Sequence, residues 1–175
     1  MTNEIDYSIQ DFSHESDIKL LKEIYLLNQA NTPEVGNLNS VSQLQSLLTK
    51  SKINLYVYNE IGLIGFIVCF REGSSYLSEN YKFFSKTEKS FFYIDRIAID
   101  KKFRRKRIAH TLYKKIEKLC IKDKLPLCCE VNTLPLNKPS INFHKKLGFI
   151  DVGKNEFAQN SVCLLYTSDA ADDSL

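Results

Sequence analysis

Between Phe91 and Phe149 an apolar run, a cluster of cations and a helical stripe follow one another with no linker between them. Phe91 to Ile99 predicts a strand, Arg104-Arg105-Lys106-Arg107 a basic turn, and Arg107 to Ile121 a helix with Ile108, Leu112, Ile116, Leu119 and Cys120 along one face. Leu127 to Val131 then predicts a strand, Pro139 to Lys146 a short helix, and Phe149 to Val152 a further strand. A strand that feeds a helix through a short turn sets unpaired helix amides beside a strand end, where they attract an anion. The order points to an α/β fold.

The preceding residues supply the rest of such a fold. Ile5 to Phe12 alternates as a first strand, and Asp17 opens a helix carried by Ile18, Leu21, Ile24 and Leu27 that ends near Asn31-Thr32-Pro33. Val41, Leu44, Leu47 and Leu48 repeat the helical spacing, after which Ile53 to Tyr58 and Leu63 to Phe70 flank Asn59-Glu60-Ile61-Gly62 as an antiparallel hairpin. Arg71 to Ser90 reads as a long connection rich in rings (Tyr76, Tyr81, Phe83, Phe84), either a lid or a loop anchored to the core by them. With 175 residues, 43% hydrophobic and 26% charged, and no repeat or linker, one globular domain is expected.

Composition also removes several function classes. Apolar runs such as Leu63 to Phe70 fall well short of the roughly 20 residues a membrane helix needs, and the start MTNEIDYS lacks the charged and apolar blocks of a targeting signal. The 5 Cys (Cys69, Cys120, Cys128, Cys129, Cys163) are odd in number, sit mostly in apolar segments and show no CxxC spacing, so they read as reduced core thiols of a cytoplasmic protein. A net charge of +3 is too small to argue for nucleic acid, despite the cluster from Lys101 to Arg107.

The segment Phe103-Arg104-Arg105-Lys106-Arg107-Ile108-Ala109 resembles motif A of the GNAT N-acetyltransferase superfamily: Arg or Gln, two free positions, Gly, one free position, then Gly or Ala. Arg104 and Ala109 match, whereas Arg107 and Arg105 stand where the family favours Gly. The resemblance implies that backbone amides of Arg104, Arg105, Lys106, Arg107, Ile108 and Ala109 hold the pyrophosphate of acetyl-CoA. It also implies that pantetheine bonds to the backbone of Ile97, Ala98 and Ile99, in a splay between that strand and the one near Val131. Arg107 either obstructs the close approach or adds a charge-assisted bond to phosphate.

Asn137 to Phe149, NKPSINFHKKLGF, resembles the family's second recurring element. Asn137 and Phe143 then contact the pantetheine arm, and His144 occupies the slot where Tyr usually protonates the departing thiolate, a task imidazole can also perform. Asp95 and Glu130 each interrupt an apolar strand, at places suited to a base for the attacking amine or to a structural ion pair. Residues 27–36, 78–85 and 93–96 together resemble a little-characterised bacterial subgroup, which makes Asn28, Asn31, Glu79 and Tyr81 the substrate-side candidates. Capping and loop packing are the alternative for those four.

The implied fold is a GNAT-like single α/β domain with a mixed, mostly antiparallel central sheet, a splay between its two middle strands and about four flanking helices. The implied function is transfer of an acetyl group from acetyl-CoA to a primary amine by direct attack, without a metal. The acceptor is a small-molecule or peptide amine; neither nucleic acid nor membrane is a partner, and a homodimer is compatible with the resemblance. A non-catalytic acyl-CoA-binding domain is the alternative. Cys163 to Asp172, CLLYTSDAAD, resembles a translated sequencing adapter, so residues 1–162 are expected to form the acetyltransferase domain and 163–175 an adapter-derived tail, with strand pairing of SVCLLYT as the other reading.

Overall fold

The structure is a computed structural model and describes residues 5–167. In chain order the elements are β1 (Ser8–Asp11), α1 (Ile18–Gln29), α2 (Val41–Lys50), β2 (Ile53–Asn59), β3 (Gly62–Arg71), α3 (Glu79–Thr87) and β4 (Phe92–Ile99). A 3-10 turn at Lys101–Phe103, α4 (Ile108–Asp123), β5 (Leu127–Leu134), α5 (Lys138–Lys146), β6 (Ile150–Glu156) and β7 (Ser161–Thr167) follow. The strands form one seven-stranded sheet in the order β1-β2-β3-β4-β5-β7-β6. The α/β class is as expected, and the described residues hold five α-helices, in keeping with the expectation of about four.

The chain divides into two compact units, Met1–Val68 with Arg96–Leu112 and Cys69–Asp95 with Tyr113–Leu175. In the first, α1 is capped by Asp17, whose carboxylate accepts from Lys19 N at 2.8 Å, and α2 by Ser40, whose hydroxyl accepts from Gln43 N at 3.1 Å. Leu21 and Ile24 of α1 and Leu44 of α2 are wholly buried, each worth about 1.5–3 kcal/mol of apolar transfer. The β2–β3 hairpin turns on Asn59, whose side-chain oxygen accepts from Ile61 N at 2.9 Å. Gly65 of β3 lets the backbone of β4 come close, because a Cβ there would sit 2.9 Å from the Ala98 carbonyl oxygen.

In the second unit β4 and β5 run parallel in register at Phe92↔Leu127 and Tyr93↔Cys128, near the start of both strands. The expected connection from Arg71 to Ser90 contains α3. Ser78 caps it by accepting from Tyr81 N at 3.4 Å, and Tyr81 and Phe84 bury the inner face. Rings at positions 81, 83 and 84 hid that helical spacing behind an aromatic run, while the Ser78-Glu79 start was the available signal. Along α4, Leu119 proves 38% exposed, and Tyr113 and Glu117 take the inner face beside Ile116 and Cys120. The helix closes at Lys124, whose left-handed φ of 53° lets Leu125 N donate to the Cys120 carbonyl at 2.9 Å.

β7 pairs with β5 from Leu127↔Thr167 to Leu134↔Ser161 and with β6 on its other edge. SVCLLYT is thus a strand, as its apolar character allowed, and all but Tyr166 of it is buried. The rest of the expected tail, residues 168–175, lies outside the described residues.

Candidate functional site

The basic turn belongs to the first unit. Asp100 opens the 3-10 turn, its carboxylate accepting from Lys102 N at 2.8 Å, while its own amide donates to the Ile64 carbonyl at 2.8 Å. Arg105 and Arg107 then both adopt φ of 61°, the left-handed region that Gly enters without penalty and Arg enters at about 1–2 kcal/mol each. The two positions where the family pattern wants Gly have kept a glycine conformation under a different side chain. Left-handed residues stand on either side of Lys106, a kind of backbone turn in which successive amides can form an anion-binding concavity. The Arg107 carbonyl accepts from Thr111 N at 3.0 Å and so opens α4, leaving the first amides, Ile108 and Ala109 among them, without intrahelical acceptors. Arg104, Arg105, Lys106 and Arg107 are all exposed, and Ile108 is buried beneath them.

Arg104, which matches the family's motif, is folded back. Its guanidinium donates to Asn31 Oδ1 at 2.7 Å and, from Nε, to the Ile99 carbonyl at 3.4 Å. Asn31 in turn donates to the Leu27 carbonyl at 2.8 Å. One step along β4, the buried Arg96 donates to Asn28 Oδ1 at 2.8 Å and to the Gly36 carbonyl at 3.1 Å. Asn28 and Asn31, singled out on the substrate side, therefore use their carboxamides to tie α1 to β4 and its turn. Arg96 had no assigned part in the sequence reading, yet it is only 7% exposed. Ile97 and Ile99 are half-buried, alternating with buried Arg96 and Ala98, as a pleated strand requires.

The other candidates belong to the second unit. Tyr76 donates its hydroxyl to Asp95 Oδ1 at 2.6 Å, and Tyr93 donates a short bond to Glu130 Oε2. Both carboxylates are half-buried, and each is met by a phenol. Burial, followed by the charges of Glu130 and Asp95, pushes the Tyr93 hydroxyl well above its ordinary pKa and keeps it a donor. Tyr81 is 2% exposed, with its hydroxyl donating to the Arg71 carbonyl at 2.6 Å and accepting from Ser74 N at 3.0 Å. Glu79 is exposed and pairs with Lys82 at 2.8 Å.

The structure buries His144 to 4% exposure. Phe143, Phe149 and Tyr113 stand edge-on to its ring with centroids 5.2–5.3 Å away. Nδ1 lies 2.7 Å from the Ser140 carbonyl, which can only accept, so Nδ1 carries the proton and Nε2 accepts from the Tyr113 hydroxyl at 2.6 Å. Desolvation lowers the His144 pKa against the opposing pull of the Ser140 carbonyl. Asn137 caps α5, its side-chain oxygen accepting from Ser140 N at 3.3 Å. Phe143 is half-buried on the same helix. All 5 cysteines are free and buried, and burial pushes the Cys120 thiol up to about 12.

The sequence profile of the acetyltransferase (GNAT) family matches residues 21–149, from α1 through α5. The chain belongs to that family. It is similar in fold to Ard1 from Thermoplasma volcanium, with a TM-score of 0.69, 20% identity, and 93% of this chain and 97% of that one covered. It is similar also to Arabidopsis thaliana NAA60 in complex with acetyl-CoA, with a TM-score of 0.71, 14% identity and coverage of 93% and 98%. The ribosomal-protein-S18-alanine N-acetyltransferase of Escherichia coli aligns with a TM-score of 0.66, 13% identity and 92% coverage of both chains. No curated protein matches the chain. Among the described residues, no helix is long and apolar enough to cross a membrane.

Proposed function

We propose that the protein is an acetyl-CoA-dependent N-acetyltransferase that moves the acetyl group to a primary amine by direct attack. The observation that carries the reading is the left-handed backbone of Arg105 and Arg107 at the opening of α4. It reproduces with arginines the anion-cradling turn for which the family uses glycines. In this reading Arg104 to Ala109 hold the pyrophosphate. The backbone of Ile97, Ala98 and Ile99 is the pantetheine candidate in the first unit, and Asn137 and Phe143 are the pantetheine candidates in the second. The exposed guanidiniums of Arg105 and Arg107 add charge at the phosphates rather than obstruct them.

Asp95 takes one proton from the acceptor's ammonium, the amine nitrogen bonds to the acyl carbon, and the carbon–sulfur bond breaks to release a thiolate, which takes up the second proton that the nitrogen sheds as the amide forms. Glu130, already bonded to Tyr93, supports a second negative charge for a cationic acceptor. Glu79 is the substrate-side candidate whose side chain is exposed at a helix start. Structural neighbours that bear on the acceptor include NAA60 with a bisubstrate analogue and the NatC complex bound to Gag peptide and CoA, which favours trying peptide N-termini alongside small amines. We also read residues 1–162 as the native domain, working in the cytoplasm, and 163–175 as adapter-derived. Sequencing the genomic locus past codon 162 tests that boundary.

A second reading, an acyl-CoA-binding domain without turnover, is favoured by one feature. The single proton of neutral His144 is held on Nδ1 by the Ser140 carbonyl and Nε2 is filled by the Tyr113 hydroxyl, so protonating a thiolate through the ring requires one of these bonds to break. Release of free thiol from acetyl-CoA, measured across a panel of small amines and peptide N-termini, separates the two: release that depends on the amine establishes the transferase, and calorimetric binding without release establishes the second reading.

A further inference from the structure

We propose that Tyr76 is a positioning residue that holds the Asp95 carboxylate in one orientation. The proposal rests on the reading of Asp95 as the base. Asp95 is fixed by a phenol from outside its strand, and that phenol is itself fixed more firmly than a loop side chain ordinarily is. The Tyr76 ring stacks on Phe70 of β3, with centroids 4.4 Å apart and planes 15° from parallel, and meets Tyr81 edge-on at 5.8 Å. Tyr81 is buried, and its hydroxyl takes Ser74 N and gives to the Arg71 carbonyl, closing the loop that bears Tyr76 onto the end of β3. The same loop is pinned at Glu72, which receives Arg71 in two bonds of 2.8 Å and Phe91 N at 3.2 Å. Two ring contacts and a pinned backbone aim the Tyr76 hydroxyl at Asp95 Oδ1, 2.6 Å away.

The connection from Arg71 to Ser90 is thereby a brace rather than a moving lid. Burial first, and the Asp95 charge as a lesser cause, raises the pKa of Cys69 on β3 and of Tyr93 on β4, and Tyr93 gives its hydroxyl to Glu130 of β5. By holding one carboxylate oxygen, Tyr76 sets the direction from which Asp95 can receive a proton.

Tyr76→Phe keeps the stack and deletes only the hydroxyl. In the full-length protein we expect the Asp95 side chain, followed by NMR scalar couplings, to hold one rotamer and to average among rotamers in Tyr76→Phe. Turnover with the best amine of the panel should fall about tenfold, at an unchanged KM for acetyl-CoA. In an Asp95→Asn background the same substitution should cost nothing further. Asp95 couplings that do not change, or an equal loss of turnover in both backgrounds, overturn the proposal. Turnover that survives Asp95→Asn overturns instead the reading of Asp95 as base, and the couplings still decide whether Tyr76 holds the carboxylate.

Discussion

The basic turn and the tyrosine-lined interior of the second unit solve opposite problems with the same few residue types. At the turn, four consecutive cations stand in water and the backbone carries the conformation, with Arg105 and Arg107 held left-handed. In the second unit, Tyr76, Tyr93 and Tyr113 place hydroxyls on Asp95, Glu130 and His144, and the side chains carry the design. Charge in the open is screened and tolerant of exchange, whereas a polar group in the interior costs free energy as soon as its partner is removed. Substitutions should therefore hurt stability in the interior and ligand affinity at the turn.

The largest effect is expected at the His144 cluster. Tyr113→Phe leaves the buried Nε2 without its donor and should cost about 1–3 kcal/mol in a denaturant titration. His144→Tyr, which restores the family's residue, should also destabilise, by roughly 1–3 kcal/mol, because three rings already close on the imidazole. A stabilised His144→Tyr would show that the cluster is loosely packed and would erase the contrast with the turn.

At the turn the sign reverses for stability. Arg107→Gly relieves a left-handed arginine and should stabilise the fold by about 1 kcal/mol. It should weaken acetyl-CoA binding roughly tenfold at low salt, with the difference shrinking as salt is added. Calorimetry that shows tighter binding would instead assign Arg107 to obstruction.

The smallest effect is one of pH. Burial lowers the His144 pKa in the folded protein, so the unfolded chain binds the extra proton first as pH falls below about 6.5. Its contribution to stability is present above that pH and is lost as pH drops toward the folded value. The thermal midpoint should decline over that window, and His144→Phe should flatten the decline; an unchanged slope would show that another group sets it.

Much of this frame was legible in the chain. The order from Phe91 to Phe149, the caps at Asp17, the Asn59 turn and the family match all follow from local chemistry, since apolar period, turn residues and glycine-type positions are written in neighbouring residues. The turn was legible in position, and its two arginines were visible as departures. Less legible was what each polar side chain would meet. Asn28 and Asn31 read as substrate contacts, and they bond to Arg96 and Arg104, more than sixty residues away. The burial of His144 was not legible either, because α5 carries three lysines around it and only the packing of Tyr113 and Phe149 encloses it.

By itself the sequence determined the succession of elements and the family, because spacing of apolar and turn residues is enough to choose a helix, a strand or a turn at each point. Tertiary structure decided that Arg105 and Arg107 keep a glycine's backbone, that each carboxylate has a tyrosine, and that His144 turns both nitrogens inward. Those outcomes depend on which side chains from distant segments arrive at hydrogen-bond distance. Local spacing does not encode that distance, and burial makes it decisive.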